Sequence, residues 1–159
     1  MRVNVGELLA DRRAVRVVAF SERIESPGED TTLLDPVQGE LVLTGTGRGV
    51  SLTGRVRTAL SLVCGACLTQ YRQPLEFAVD EEFGRSPVRA GASRGETELG
   101  PEDFVVPIGP DGMVDLTEVV RQHLVLAIPI APRCREGCRG LCAQCGADLN
   151  LGPCTCPRA

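Results

Sequence analysis

The chain has 159 residues, a formal net charge of −4 and 43% hydrophobic residues, which is enough for one ordinary domain and excludes wholesale disorder. No apolar run approaches the roughly 18 residues of a membrane span. The stretch MRVNVGELLADRRAV at the start mixes acidic and basic side chains where a secretory signal would be apolar. We therefore expect a cytoplasmic protein with no membrane association.

The first 80 residues predict mainly β-structure after a short helical turn at 7–12. Val15, Val17 and Phe20 indicate a strand, and residues 37–43 alternate between apolar and polar in the period of a half-buried strand. The glycine-rich segment 45–49 predicts a turn into a returning strand over 50–62, with a β-bulge at Gly54. A further strand over 71–79 follows the Cys-Gly-Ala-Cys turn.

Residues 80–103 are acidic and glycine-rich, and we expect a mobile loop there. Residues 104–108 predict a short returning strand. An amphipathic helix is predicted from Asp115 to about Ile128, with Asp115 and Glu118 forming a capping box and Pro129 ending the helix. Its apolar stripe comprises Leu116, Val119, Val120, Leu124, Ala127 and Ile128.

The predicted fold class is therefore mainly β (α+β): a small antiparallel sheet or open barrel with one helix. Residues 1–131 form the β-rich core, and residues 132–159 form a cysteine-rich tail that docks on the hairpin carrying Cys64 and Cys67.

The eight cysteines are the strongest functional signal, because they occur as four close pairs. Paired thiolates let one turn of backbone offer two sulfurs to one tetrahedral ion, and eight cysteines suit two four-cysteine Zn²⁺ sites. An iron–sulfur site, redox thiols or disulfides are the alternatives, although nothing sends the chain to an oxidising compartment. The pairs are Cys64 and Cys67, Cys134 and Cys138, Cys142 and Cys145, and Cys154 and Cys156.

The spacing favours one grouping of these pairs. Cys142, Cys145, Cys154 and Cys156 lie close enough in sequence to close a site locally, with Gly146 and Gly152 easing the turns. The first site would then consist of Cys64, Cys67, Cys134 and Cys138, which would join the tail to the hairpin. A swapped arrangement, in which Cys64 and Cys67 pair with Cys142 and Cys145, stays open.

Composition gives little support to enzyme chemistry or to base stacking. The single histidine, His123, falls in the helical apolar stripe and is predicted to pack at the core edge, and no nucleophile or phosphate-loop motif is present. Asp80, Glu81 and Glu82 are predicted to be a solvated strand end rather than a cation site. We expect no catalytic residues and no small-molecule substrate.

Charge and aromatic content bear on RNA binding. The chain has four Phe, one Tyr and no Trp, which disfavours an RNA reader that stacks bases. All basic residues are arginine, and phosphate binding would need a local patch such as Arg12, Arg13 and Arg16, or Arg48, Arg55 and Arg57.

Several segments together resemble the YceD family of large ribosomal RNA subunit accumulation proteins. These are VCGACL at 63–68, EEF at 81–83, the segment 113–134 and the closing run GCRGLCAQCGADLNLGPCTC. The first pair in the family usually reads C-x-R-C-L, whereas Ala66 stands at the arginine position here. Ala143 and Asp148 replace a common proline and a common asparagine.

The resemblance implies a bacterial, non-enzymatic factor for the accumulation or processing of 23S ribosomal RNA and for large-subunit biogenesis. Its partner would be a large-subunit ribosomal protein, precursor 23S rRNA or both, and the acidic segment favours a basic protein. The alternative hypothesis is a thiol redox or metal-delivery protein that uses the C-terminal cysteine pairs.

Overall fold

The computed structural model describes residues 1–28, 31–84 and 105–156. In these ranges the chain forms eight strands and two helices. In chain order they are β1 (Arg2–Asn4), α1 (Gly6–Ala10), β2 (Val15–Glu22), β3 (Thr32–Leu33), β4 (Val37–Gly45), β5 (Gly49–Val63), β6 (Gln70–Gly84), β7 (Val106–Pro107), β8 (Met113–Asp115) and α2 (Leu116–Ala127).

The strands form one open sheet and one small two-stranded sheet. The main sheet has the order β2-β4-β5-β6-β7, and β3 pairs with β5 beyond the end of β4. All its pairings are antiparallel except that of β6 with β7, which is parallel, while β1 pairs with β8 separately. The predicted mainly β fold with an amphipathic helix is confirmed.

The β4–β5 hairpin has an unbroken register, so the predicted bulge at Gly54 is wrong. Gly54 pairs directly with Leu41 and lies in an uninterrupted ladder from Gly45 to Gln38. A Cβ atom at Gly54 would lie 2.3 Å from the Glu40 carbonyl oxygen and 2.8 Å from Leu41 Cδ2. The glycine therefore permits a close approach of the two strands, which a sequence signal for a bulge cannot distinguish.

Strand β6 is longer than the sequence predicts. It pairs with β5 from Gln70 to Gly84, so residues 80–84 belong to the sheet and not to a loop. The remainder of the predicted loop, 85–103, lies outside the described residues. The short returning strand is present as β7, alongside the end of β6.

The inner face of the sheet packs against α2. Even-numbered β5 residues such as Leu52, Val56 and Leu60 are buried, because alternate side chains of a strand point to one face. Four residues of the helical stripe cover them: Leu116, Val119, Val120 and Leu124. This alternation also places Cys64, the next even position after β5, inside the protein.

The N-terminus of α2 is capped by Asp115, whose carboxylate accepts hydrogen bonds from the backbone N–H groups of Thr117 and Glu118. In the expected capping box the Glu118 side chain would accept from the backbone N–H of Asp115, and it does not. The Glu118 carboxylate instead accepts from the Arg121 guanidinium and the Gln122 amide, which lower its pKa to about 2.

His123 lies at the edge of the core, partly buried, with its Nε2 3.1 Å from Glu81 Oε1. Glu81 is thus engaged by α2 and is not part of a cluster of solvated carboxylates. This contact joins the helix to the end of β6.

We predict that Leu124→Ala lowers the free energy of unfolding by about 2–5 kcal/mol, because it leaves a cavity where Leu124 is fully buried. Leu126 is on the same helix and 81% exposed, so Leu126→Ala should change stability by less than about 0.5 kcal/mol. Urea unfolding of both variants measures the difference, and equal effects would contradict the packing of α2.

Candidate metal centre

The eight cysteines form two groups of four in the structure. In each group the four Sγ atoms all lie within 4.8 Å of one another. One group consists of Cys64, Cys67, Cys134 and Cys138, and the other of Cys142, Cys145, Cys154 and Cys156. The grouping in the structure is therefore the local one, not the swapped arrangement.

The first group joins distant parts of the chain at one end of the β5–β6 hairpin. Cys64 follows β5, Cys67 lies in the turn before β6, and Cys134 and Cys138 follow α2. Cys64 is fully buried, and Cys67 and Cys138 are 7% and 8% exposed. Cys64 Sγ is 3.8 Å from Cys138 Sγ, and Cys67 Sγ is 3.7 Å from Cys134 Sγ.

These separations fit a tetrahedral metal ion. A zinc–sulfur bond of about 2.3 Å and tetrahedral angles put neighbouring sulfurs about 3.8 Å apart. A disulfide needs sulfurs about 2.05 Å apart, so the first group is not a pair of disulfides. A polynuclear iron–sulfur cluster also fits poorly, because its cysteines bind different irons and so stand farther apart.

The second group spans a shorter stretch of chain than the first and is more exposed to solvent. Cys154 Sγ lies 3.4 Å from Cys142 Sγ, across only 12 residues of chain. Cys145 is exposed, while Cys142, Cys154 and Cys156 are half-buried. The site is therefore a local loop closure at the surface.

The two Cys-x2-Cys turns have the same backbone geometry. In the first, Leu68 N–H donates to the Cys64 carbonyl at 2.9 Å and Cys64 N–H donates to Thr69 at 3.0 Å. In the second, Gly146 N–H donates to Cys142 at 2.9 Å and Cys142 N–H donates to Ala147 at 2.8 Å.

The residue after the second cysteine is left-handed in both turns. Its φ is +59° at Leu68 and +71° at Gly146. The second turn therefore has the residue that tolerates this conformation, and the first has a leucine that is strained there. Of the two glycines expected to ease the turns, Gly146 has the positive φ and Gly152 does not.

Backbone contacts connect the two groups into one assembly. Gly65 N–H donates to the Pro132 carbonyl at 2.8 Å, and Leu141 N–H donates to the Ala66 carbonyl at 3.1 Å. Leu141 in turn bridges Asp148 in antiparallel fashion, which carries the ladder into the second group. The tail is thereby joined to the hairpin turn by backbone as well as by sulfur.

Asn150 links the second group to a sulfur of the first. Its Nδ2 lies 3.6 Å from Cys138 Sγ, and its Oδ1 accepts from the Arg139 N–H at 2.9 Å. Asp148 fixes the amide by accepting from the same Nδ2 at 2.6 Å. Such donors to a sulfur orient it and stabilise its negative charge.

Backbone N–H groups favour the thiolate form of one cysteine in each turn. Those of Cys134, Cys67 and Ala66 lower the pKa of Cys64 to about 6. Those of Cys145 and Gln144 lower the pKa of Cys142 to about 6 in the same way. Thiolates are the form that binds metal, so both turns are prepared for a cation.

One thiol in each group is instead held in its protonated form, because its pKa is raised. Burial, together with hydrogen bonds to Cys67 and Cys138, raises the pKa of Cys134 to about 12. The neighbouring Cys145 side chain, followed by burial, raises the pKa of Cys156 to about 12. Four thiolates in one shell therefore require a positive charge at its centre, which a divalent ion provides.

Tyr71 borders the first group from the sheet side. Its hydroxyl is buried and has no hydrogen-bond partner among the described residues, and the ring packs against the cysteine cluster. Burial, with the charges of Cys64 and Cys134, raises its pKa. Neither Tyr71 nor Asn150 has a sequence signal that marks it as a neighbour of the sulfurs.

The arginines proposed for phosphate binding are partly engaged elsewhere. Arg16 bonds the Asn4 carbonyl and lies 3.3 Å from the Glu7 carboxylate, and Arg55 lies 3.4 Å from Glu76. Each of the two arginine patches therefore has one arginine whose charge is partly balanced by a nearby carboxylate, which weakens it as a phosphate site.

The fold and its sulfur groups define a β-sheet protein whose cysteine-rich tail is closed by two potential four-cysteine metal sites. Residues 52–159 match the family described as large ribosomal RNA subunit accumulation protein YceD. The chain belongs to this family, and the resemblance seen in the sequence is confirmed.

The chain is also similar to curated proteins from mycobacteria and plants. A Mycobacterium tuberculosis protein is 31% identical over 96% of this chain and 72% of its own length. The chloroplast YCED homolog 1 of Arabidopsis thaliana, named as a large ribosomal RNA subunit accumulation protein, is 25% identical over 99% of this chain and 55% of its own length. A Mycobacterium leprae protein is 28% identical over 74% of this chain, and the matched part is 51% of that relative.

The chain thus spans about half the length of several of these relatives. No solved structure matches the chain. Among the described residues, no helix has both the length and the apolar surface to cross a bilayer.

We predict that Gly146→Ala lowers the stability of the metal-loaded protein by about 1 kcal/mol, because alanine disfavours the left-handed backbone that the turn needs. Gly152→Ala is the matched control, since a Cβ at either glycine meets nothing within 4 Å but only Gly146 has a positive φ. Thermal unfolding compares the two, and equal midpoints would contradict the turn geometry.

Proposed function

We propose that this chain is a non-enzymatic, zinc-binding factor that supports 23S rRNA accumulation or processing and large ribosomal subunit biogenesis in the cytoplasm. Family membership supports the ribosomal role, since the chloroplast relatives are named for accumulation of large-subunit ribosomal RNA. The proposal of zinc is supported by the cysteine groups of this chain itself.

The main support for zinc is the pair of sulfur separations in the first group, 3.7 and 3.8 Å. Cys64, Cys67, Cys134 and Cys138 would hold one ion, and Cys142, Cys145, Cys154 and Cys156 a second. Four sulfurs close the shell of each ion and leave no position for water or substrate, which is typical of structural zinc. The ions would fix shape, and recognition would fall to the surrounding surface.

Electrostatics favours a protein over RNA as the direct partner. Eight thiolates with two Zn²⁺ ions add −8 and +4, which takes the formal charge from −4 to about −8. Such a chain is repelled by a phosphate backbone except at local arginines. A basic large-subunit ribosomal protein is therefore the proposed partner, with precursor 23S rRNA reached through Arg133, Arg135 and Arg139, which are exposed beside the first group.

Metal analysis tests the sites and their grouping. We expect two zinc ions per chain, and one after Cys142 and Cys145 are replaced by serine. Replacing Cys154 and Cys156 as well should remove no further zinc, because all four belong to one site. In the swapped arrangement the fourfold variant would lose ligands from both sites. Mass spectrometry under native conditions counts the ions, with Thr155→Ser as the control between two of the ligands.

Depletion of the protein tests the ribosomal role. We expect a reduced 23S rRNA level and a reduced large-subunit peak in sucrose gradients, with the small-subunit peak preserved. A gene with Cys64 and Cys67 replaced by serine should fail to restore both, whereas the exposed-site change Thr155→Ser should restore them. Unchanged 23S rRNA after depletion would refute the proposed function.

The alternative function, thiol redox or metal delivery, is favoured by the exposure of Cys145 and the half-buried sulfurs around it. It requires thiols that react readily and metal that passes to a competing chelator. Alkylation and chelator competition separate the two functions. Rapid alkylation of Cys145 in the zinc-loaded protein would favour redox chemistry, and retention of both ions would favour a structural role.

A further inference from the structure

Strand β2 is a terminal strand of the main sheet, so one of its edges is unpaired in the described part of the chain. Gly45 N–H donates to the Ala14 carbonyl at 3.0 Å, which shows that Ala14 and Gly45 are opposite residues of the hydrogen-bonded type. Because hydrogen-bonded pairs alternate in an antiparallel ladder, even-numbered residues of β2 bond to β4. The backbone groups of Val15, Val17, Ala19 and Ser21 therefore point away from the sheet.

This edge lacks the usual protection against pairing. It runs for eight residues without proline, bulge or lysine. On the opposite side of the sheet β7 pairs only with Phe83 and Gly84, and the rest of β6 is interrupted by Pro74. Val15 and Val17 are 58% and 56% exposed, on the sheet face that α2 does not cover. An exposed edge of this length and composition is a template for another strand.

We propose that two copies of this chain associate through antiparallel pairing of their β2 strands, with Ala19 on the two-fold axis. The outward-facing backbone groups would form hydrogen bonds between the copies. Ala19 would pair with Ala19 of the second copy, and Val17 with Ser21 of the second copy. The two main sheets would continue into one. Ala19 is small and exposed, so its own copy can approach at the axis.

Charge complementarity selects this partner and this register. On the helix-covered face, Arg16 would lie opposite Glu22 of the second copy, and Val18 opposite Phe20. Symmetry makes each contact twice. Opposite charges and apolar pairs across neighbouring strands are the pairs that stabilise a sheet. Arg16 has donors to spare, since its five N–H groups make two contacts among the described residues.

Both neighbouring registers are less favourable. Shifting the pairing by two residues places the axis at Val18 and sets Arg16 against Phe20. It also leaves Glu22 opposite Ala14 and brings Arg13 of one copy to Arg23 of the other. Like charges across strands repel. The opposite shift, with the axis at Phe20, sets Glu22 against Val18 and Arg16 against Ile24, so the register centred on Ala19 is preferred. A shift by one residue would match outward backbone groups with inward ones.

Sedimentation velocity over a range of concentrations tests the dimer. Wild-type protein loaded with zinc should change from monomer to dimer as concentration rises. Ala19→Arg places two like charges at the axis and should weaken the dimer by at least about tenfold. Thr53→Arg adds the same charge on the same face of β5, away from the edge, and should leave the dimer intact.

Charge exchange tests the register. Glu22→Arg should weaken the dimer, and Arg16→Glu combined with Glu22→Arg should restore it. Amide hydrogen exchange tests the edge without any variant: Val17, Ala19 and Ser21 should gain protection as concentration rises, while Val18 and Phe20 should not. A monomer at all concentrations, or a dimer insensitive to Ala19→Arg and without this alternating protection, would overturn the proposal.

Discussion

The four sulfurs of Cys64, Cys67, Cys134 and Cys138 lie where the tail of this protein meets its sheet, and an ion shared by them would join the two. The bond between Cys67 and Cys134 through a shared ion would close a loop of 67 residues that contains β6 and α2. By chain-entropy estimates a cross-link of that span restricts the unfolded chain by about 4 kcal/mol, against about 3 kcal/mol for the 12-residue closure between Cys142 and Cys154. An ion in the first group would therefore support the fold, and an ion in the second would shape a local ribbon.

The position of that first site follows from the sheet. Alternate residues at the end of β5 are buried, and these are Leu60, Leu62 and, directly after the strand, Cys64. The strand therefore places the Cys64 sulfur inside the protein. The turn then supplies Cys67 and a carbonyl at Ala66 that receives the tail through Leu141. Ala66 needs only its backbone for this contact, so the small side chain at this position does not weaken it.

Local signals were sufficient for most of the fold, and they favoured the grouping of sulfurs that the structure has while leaving the swapped one open. The alternation of β4, the apolar stripe of α2 and the Asp115 cap depend on neighbours in sequence, and all are present. The length of β6 could not be read from the sequence, because Asp80, Glu81 and Glu82 look solvated until Glu81 meets His123 of α2. Gly54 could not be assigned either, since a bulge and a close strand approach need the same residue.

Asn150 and Tyr71 show why the surroundings of a metal site are harder to predict than its ligands. Cysteine pairs can be recognised from their spacing in the sequence. The Asn150 amide is 12 residues from Cys138 and lies beside its sulfur only because Leu141 and Asp148 pair. The strained Leu68 is a similar case, because a turn that is glycine-based at Gly146 uses a leucine, 65% exposed, beside the hairpin. Leucine in a left-handed turn costs stability that glycine would not, because its Cβ crowds the following carbonyl. Leu68 lies in the turn between β5 and β6 and is 65% exposed, so burial of its side chain does not offset the cost of the left-handed backbone, and neither the cysteine spacing nor the apolar pattern could have marked this position.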